Sequence, residues 1–439
     1  MREVVSRSDR LEGVISLPGD KSISHRALLL NSLAPGESHV SNLCHGDDRS
    51  SMLRCLRGLG VKILKHQNCG ITGGIECYKI IGNGLYGLSE PLTLLNAGNS
   101  GTTLRLIAGL LAGQQFFSVI SGDSSLRSRP MRRITEPLTE MGAVISGRKN
   151  NSLAPLAIRG GNLSGIVHDS NKSSAQVKSA VLIAGLYAQG STTVRQPSVS
   201  RDHTEKMLES MGASLHISGS SVEIKPSKLQ PVNVKVPSDT SGAAFWLIAG
   251  ICHPNARITL PGVGLNPTRT GVLEVLTKMG ASINIENYKI EAGEPSGDIV
   301  VESSELRGVE ISGDIIPRVI DELPILSLAA CFAKGRTVIK DANELRVKES
   351  DRISATVNGL SRLGAKISEL SDGMEIHGGN SLTGTECESF GDHRIAMTLG
   401  VAGLIAKGST VINGSEAAAV SYPEFWDIVK SLSASQNSR

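Results

Sequence analysis

The stretch LPGDKSISHRALLL, Leu17 to Leu30, sets a Pro-Gly-Asp turn against Lys21, two hydroxyls (Ser22 and Ser24) and Arg26, then runs directly into an apolar helix. At the mouth of a helix the backbone N–H groups are unpaired and the dipole favours negative charge, so an anion belongs there. What decides the fold is that this arrangement returns. Six apolar, Ala/Leu-rich segments each run through a turn into a β-branched stretch: HRALLLNSLAPGESHV, TTLRLIAGLLAGQQFFSVI, AQVKSAVLIAGLYAQGSTTV, GAAFWLIAGICHPNARITL, ELPILSLAACFAKGRTVI and HRIAMTLGVAGLIAKGSTVI. Their turn residues, Gly36, Gly113, Gly190, Asn255, Gly335 and Gly408, recur at a mean spacing of about 74 residues, and six such units nearly exhaust the chain. Gly or Asn in this place suits a left-handed helix cap.

A second helix recurs between these segments, ending in Gly and leading into a short strand: LRGLGVKI, LTEMGAVI, LESMGASLHI, LTKMGASINI and LSRLGAKI. Ile134, Leu138 and Met141, and again Ile353, Val357 and Leu360, stand at helical spacing on one face. A sixth copy, Tyr422 to Leu432, is degenerate. The first-type helices are apolar almost all round and must be buried on every side, so they belong at the centre of each domain with sheets and second helices outside. A chain of 439 residues exceeds one ordinary core. Six units therefore divide into two α/β domains of three, each with pseudo-threefold symmetry and a hinge expected around Val236 to Thr240.

Composition narrows the function. The chain is 40% hydrophobic and 20% charged, with a formal net charge of +3. Aromatics make up only 3% and do not interleave with basic residues, so no nucleic-acid partner is expected. No apolar run approaches a membrane span, and the start lacks the apolar core of a secretory signal. Seven cysteines, an odd number without a C-x-x-C pair, read as reduced thiols of a cytoplasmic protein.

The polar groups at the helix starts are Lys21/Ser22/Arg26, Asn99/Ser100/Gly101/Thr102/Arg105, Ser173/Ser174/Gln176, Asp321/Glu322 and Asp392/His393/Arg394. Ser238 to Ser241 in the fourth unit look like plain N-caps, and Ser, Thr, Asn and Asp are ordinary capping residues anywhere. Three charged sets lie between units: LRSRPMRR with Arg129, SRDHTEK with Arg201, and LRVKESDR with Lys348, Glu349 and Arg352. On a helix Lys348 and Arg352 share a face, where like charges repel unless an anion or carboxylate lies between them. GDKS lacks the spacing of a nucleotide P-loop, and neither H-E-x-x-H, a clustered Cys/His set nor a G-x-S-x-G elbow occurs, so no metal, cofactor or serine nucleophile is expected. What remains is a site rich in Lys and Arg with a few carboxylates, Asp321, Glu349 and Asp392 among them, suited to phosphate and carboxylate ligands and to proton transfer.

In this order and spacing, LPGDKSISHR, NAGNSGTTLR, RPM, SSAQVKSA, SRDHTEK, LRVKESDR and GDHRIAM resemble the 5-enolpyruvylshikimate-3-phosphate (EPSP) synthase family, the 3-phosphoshikimate 1-carboxyvinyltransferases, over essentially the whole chain. NSGTT with SAQVKSA resembles its second sequence class. The resemblance implies a two-domain enolpyruvyl transferase fold, an inside-out α/β barrel of six βαβαββ units. Residues 1–20 with 238–439 would form one domain and 21–237 the other, with the active site between them. It further implies a monomer that transfers enolpyruvate from phosphoenolpyruvate to the 5-hydroxyl of shikimate 3-phosphate, by addition and elimination, and that is a glyphosate target.

Carried over by position, the family places Lys21, Ser22, Arg26, Ser173, Ser174, Gln176, Arg201, Asp321 and Lys348 on shikimate 3-phosphate. Around phosphoenolpyruvate it places Lys21, Asn99, Gly101, Thr102, Arg129, Gln176, Arg352 and Arg394, with Arg105 supporting the loop. Asp321 would take the proton of the 5-hydroxyl, and Lys21 and Glu349 are the candidates to protonate the methylene carbon. Two departures stand out: Ala175 where many relatives have a second serine, and Val420 where the other sequence class carries a lysine. A sister enzyme acting on UDP-N-acetylglucosamine would show Asn after the first lysine and a cysteine in the RPM loop; here Ser22 follows Lys21 and no cysteine lies between Ser121 and Arg133.

Overall fold

Among the residues described by the computed structural model (1–66, 76–379 and 381–434), the strands fall into six small sheets, five of four strands and one of three. One shows the pattern. Leu95–Asn96 runs parallel to Phe117–Ser121, which pairs antiparallel with Leu153–Arg159, which pairs antiparallel with Val144–Gly147. The parallel step is bridged by a central helix, as a parallel connection requires. Those six helices are α1 (Lys21–Leu33), α2 (Gly101–Ala112), α3 (Ala175–Gly185), α4 (Thr240–Cys252), α5 (Leu323–Phe332) and α6 (His393–Ile405).

The chain divides into two compact units. One comprises Gly19–Pro237 with Ile290–Glu294; the other comprises Met1–Pro18, Ser238–Lys289 and Pro295–Arg439. Gly19 and Asp20 group with the first because Asp20 caps α1, accepting from the Ile23 amide at 2.9 Å, while its own amide donates to the Pro237 carbonyl at 2.8 Å. Each unit has its own apolar core around three central helices. In the first unit Val234–Lys235 returns to lie parallel to Gly36–Ser41, so the last strand completes the first sheet. In the second, the N-terminal strands Arg2–Ser6 and Leu11–Val14 pair with Ser409–Asn413 and Ala256–Gly264.

The central helices pack at close range. A Cβ on Gly109 of α2 would sit 2.3 Å from the Ala180 carbonyl oxygen of α3, and one on Gly113 would strike the Tyr187 ring. Gly113 is not a left-handed cap, contrary to expectation: its φ is −85°, and its missing side chain makes room for Tyr187. Asn255 is likewise outside the left-handed region; its amide donates to His253 Nδ1 at 3.1 Å. The second-type helices occur in all five expected places, and the degenerate sixth copy is the helix Phe425–Ala434.

Both tryptophans lie in the second unit's core, not on a surface. Trp246 stacks on Phe425 at 5.2 Å between ring centroids and donates Nε1–H to the Tyr422 hydroxyl at 3.2 Å; Trp426 packs edge-on to Phe425. Trp246→Ala is expected to cost about 3–5 kcal/mol of stability in urea unfolding, because a fully buried indole leaves a cavity and an unpaired hydroxyl. Of the described cysteines five are free, but Cys77 is disulfide-bonded, which corrects the reading of all seven as reduced; Cys69 lies outside the described residues. No described helix is long and apolar enough to cross a membrane.

Candidate active site

In the first unit the polar groups gather at the starts of α1, α2 and α3. Ser100 caps α2, accepting from the Thr103 amide, and Ser174 caps α3. Behind Ser100, Arg105 donates to the Gln176 side-chain oxygen and, at 3.4 Å, to the Pro130 carbonyl, while Gln176 donates to Thr102 Oγ1 at 2.9 Å. Arg129 donates to Asn99 Oδ1 at 2.7 Å, and Asn99 in turn to Asp123 at 2.8 Å. The structure thus brings Asn99, Gly101, Thr102, Arg105, Arg129 and Gln176 together. None of Arg105, Arg129 and Arg133 makes an ion pair with a carboxylate among the described residues. Burial, with the charges of Arg129 and Arg133, lowers the Arg105 pKa to about 10. Guanidinium groups gathered without an ion pair to a carboxylate suit an anionic ligand by their charge.

Gly101 opens this cluster. A Cβ there would lie 2.9 Å from Arg105 Nη1 and 3.5 Å from Arg129 Nη1, and Arg105 is tethered by Gln176 and Pro130. Gly101→Ala is therefore expected to displace Arg105 and to weaken the turnover of any anionic substrate held at this cluster about tenfold. Stability should change by less than about 1 kcal/mol, because Ala suits a helix better than Gly. Initial rates and a thermal midpoint check both.

The α1 residues divide. Lys21 is half exposed and its Nζ lies 3.1 Å from Asp48 Oδ2, one of an acidic pair at the start of the next helix that sequence reasoning missed. Burial works to raise the Asp48 carboxyl, but the charges of Lys21 and His25 and its hydrogen bonds outweigh this and hold it below its ordinary value. Arg26 is buried instead. It donates to Thr204 Oγ1 at 2.6 Å, Ser179 Oγ at 2.7 Å and the Ser22 carbonyl at 2.8 Å, so its charge acts from beneath the first turn. Ser173 Oγ is 2.8 Å from Ser198 Oγ, and Arg201 lies near enough to Arg26 to lower its pKa slightly after the larger effect of burial.

In the second unit the charges centre on Arg352, only 2% exposed at the start of the helix Arg352–Arg362. Its Nε donates to Asp392 Oδ2 at 2.8 Å, Nη2 to Glu349 at 2.7 Å, and Nη1 reaches Asp321 Oδ1 at 3.4 Å. Asp392, fully buried, also caps α6 through the Arg394 amide at 2.8 Å and accepts from Ser350 at 3.0 Å. Burial pushes the Asp392 carboxyl up, but the hydrogen bond and charge of Arg352, with His393 and the Arg394 amide, prevail and hold it below its ordinary value. Lys348 and Arg352 do not share a helix face. Asp351 caps the helix at Arg352, leaving Lys348 extended after a 3₁₀ turn. A carboxylate does lie between them: Asp321 is 3.7 Å from Lys348 Nζ. Val420 is an exposed, uncharged residue in the turn Ser415–Val420.

Two units of three βαβαββ-type repeats, each with polar or charged residues at the starts of its central helices, define an α/β protein of the enolpyruvyl transferase fold. An enolpyruvyl transferase from Streptomyces tendae, NikO, shares that fold at a TM-score of 0.79 with 18% identity over 98% of this chain and 96% of its own. EPSP synthase from Acinetobacter baumannii superposes at a TM-score of 0.91 with 40% identity over 98% of both chains. The 3-phosphoshikimate 1-carboxyvinyltransferases of Desulforamulus reducens and a Synechococcus species are 50% and 53% identical, over 98% and 94% of this chain and 99% and 93% of theirs. With the profile of EPSP synthase (3-phosphoshikimate 1-carboxyvinyltransferase) matching residues 5–429, the chain belongs to that family.

Proposed function

We propose that the two clusters of charge serve one reaction and that its residues are those at the helix starts. The activity is that of the family: the enolpyruvyl group of phosphoenolpyruvate passes to the 5-hydroxyl of shikimate 3-phosphate, with loss of inorganic phosphate, in aromatic amino acid biosynthesis. The observation that carries the assignment of phosphoenolpyruvate is the Arg105/Arg129/Arg133 cluster without a carboxylate, beside Gly101 at the open start of α2. Asn99, Thr102 and Gln176 line it, and the family resemblance adds Lys21, Arg352 and Arg394 to the residues that bind this substrate. Shikimate 3-phosphate is held by Lys21, Ser22, Ser173, Ser174, Gln176, Arg201 and Lys348, with Arg26 contributing charge from below.

Chemistry follows from these positions. Asp321 accepts the proton of the 5-hydroxyl as its oxygen attacks the central carbon of phosphoenolpyruvate. Lys21 or Glu349 gives a proton to the methylene carbon; the tetrahedral ketal phosphate then expels phosphate as the new methyl group returns a proton to that base and the carbon–carbon double bond re-forms, with the arginines stabilising the charge of the leaving phosphate. Exclusion of water around the two anions would strengthen each contact. We further infer a cytoplasmic monomer without metal or cofactor. Phosphate release from purified protein tests this reading: it should require both phosphoenolpyruvate and shikimate 3-phosphate, and UDP-N-acetylglucosamine should not replace the acceptor. Absence of release from folded protein with either acceptor would refute it.

A further inference from the structure

Ser238 to Ser241, before α4, look like ordinary capping residues, and Asp239 does cap, accepting from the Ser241 amide at 2.9 Å. Ser241 does something a cap does not require. Its hydroxyl donates to Oε1 of Glu322, the residue that follows Asp321 and precedes α5, and accepts from Nη2 of Arg269 at 2.5 Å. Ser241, Glu322 and Arg269 are 2%, 2% and 5% exposed. Arg269 Nη2 also lies 3.5 Å from Asp239 Oδ1. A buried carboxylate and a buried guanidinium are costly, and apolar side chains of like volume would pack a helix start at least as stably.

What this network holds is on either side. The main-chain oxygen of Ser241 accepts from Arg394 Nη1 at 3.5 Å, and Phe245, one turn further along α4, turns its ring to the Arg394 guanidinium, 5.8 Å from the ring centroid. Glu322 is covalently next to Asp321. Fixing the Glu322 side chain therefore fixes where the Asp321 backbone lies, and fixing Ser241 fixes the carbonyl and the ring that aim Arg394.

We propose that Arg269, Ser241 and Glu322 are positioning residues that tie the start of α4 to the start of α5 and so set Asp321 and Arg394 in register. The proposal rests on the reading above, in which Asp321 takes the hydroxyl proton and Arg394 binds phosphoenolpyruvate. All three are buried, and none is among the residues assigned above to either substrate. Their effect reaches the reaction through the two residues they orient, and misplacement of a reacting group by a fraction of an ångström is expensive in rate.

Steady-state phosphate release with each substrate varied, on Ser241→Ala, Glu322→Gln and Ser241→Thr, tests this, beside thermal midpoints for the same preparations. Ser241→Ala is expected to raise the KM for phosphoenolpyruvate and lower kcat by about fivefold or more each, with the KM for shikimate 3-phosphate within about twofold. Ser241→Thr, which keeps the hydroxyl, should recover most of the loss. Glu322→Gln keeps shape and an acceptor but not the charge facing Arg269, and should fall between; it carries the test if Ser241→Ala does not fold. Wild-type kcat and phosphoenolpyruvate KM per folded molecule in these variants, whatever their thermal midpoints, would overturn the proposal while Asp321→Asn and Arg394→Gln remain impaired. Full activity of those last two variants would instead overturn the underlying assignment, and the proposal with it.

Discussion

Asp321→Asn is expected to lower kcat for phosphate release by about 10²–10⁴-fold, with KM for both substrates within about threefold, when phosphoenolpyruvate and shikimate 3-phosphate are each varied. The amide keeps the volume of the carboxylate and an oxygen to face Arg352 Nη1, 3.4 Å from Asp321 Oδ1, and Lys348 Nζ at 3.7 Å. What it loses is the ability to take a proton. Asp321 suits that task by its surroundings: its contacts to Lys348 and Arg352 are long, whereas Asp392 is locked by a 2.8 Å bond from Arg352 Nε and by the α6 amides. Of the three carboxylates around Arg352, Asp392 has no exposed surface and Glu349 is half exposed, while Asp321 is partly open to a ligand. A variant that kept kcat within threefold would move the proton acceptor elsewhere. A variant with unchanged kcat but strongly raised KM would make Asp321 a binding residue only.

The sequence carries the repeat because repetition needs only local signals: an apolar helix, a turn, a β-branched strand, a second helix ending in Gly. It does not carry which glycine serves which purpose. Gly113 and Gly36 occupy equivalent places, yet only Gly36 is left-handed, at φ 121°, because Gly113 yields space to a ring 74 positions away. The gathering of polar and arginine side chains at the start of α2 was legible in NAGNSGTTLR and RPM. Its internal wiring was not. That Gln176 of α3 links Arg105 to Thr102 depends on how the helices pack, as does the burial of Arg26 under Thr204 and Ser179. Lys348 and Arg352 failed as a helical pair for a local reason, the Asp351 cap, which the motif SDR contains but does not announce. Ser241 looks like a cap in the sequence because a hydroxyl at that place usually is one; its partners lie 28 and 81 residues away.

Arg352→Met is expected to destabilise the protein by about 3–5 kcal/mol near pH 7.5, since removing one partner of a buried pair strands the other. The stranded group is Asp392, with no exposed surface. In the wild type its carboxyl is held below its ordinary value, burial being outweighed by Arg352. A depressed carboxyl contributes stability that is fully present above its unfolded-state pKa and is lost only as pH falls through the lower folded value. In the variant the sign reverses. Burial then dominates, the folded pKa rises above the unfolded one, and the protein gains stability as pH falls through that raised value, because the buried group becomes neutral. Urea unfolding at pH 7.5 and pH 5 should therefore show the gap between variant and wild type narrowing on acidification. A gap of equal size at both values would mean that His393 and the amides of α6 keep Asp392 ionised without Arg352. Its loss would also raise the KM for phosphoenolpyruvate, and the two measurements separate the two tasks of one guanidinium: Arg352→Lys, which keeps the charge but not the fork, should restore much of the stability while leaving the KM high, since three carboxylates and a substrate cannot all be met by a single ammonium.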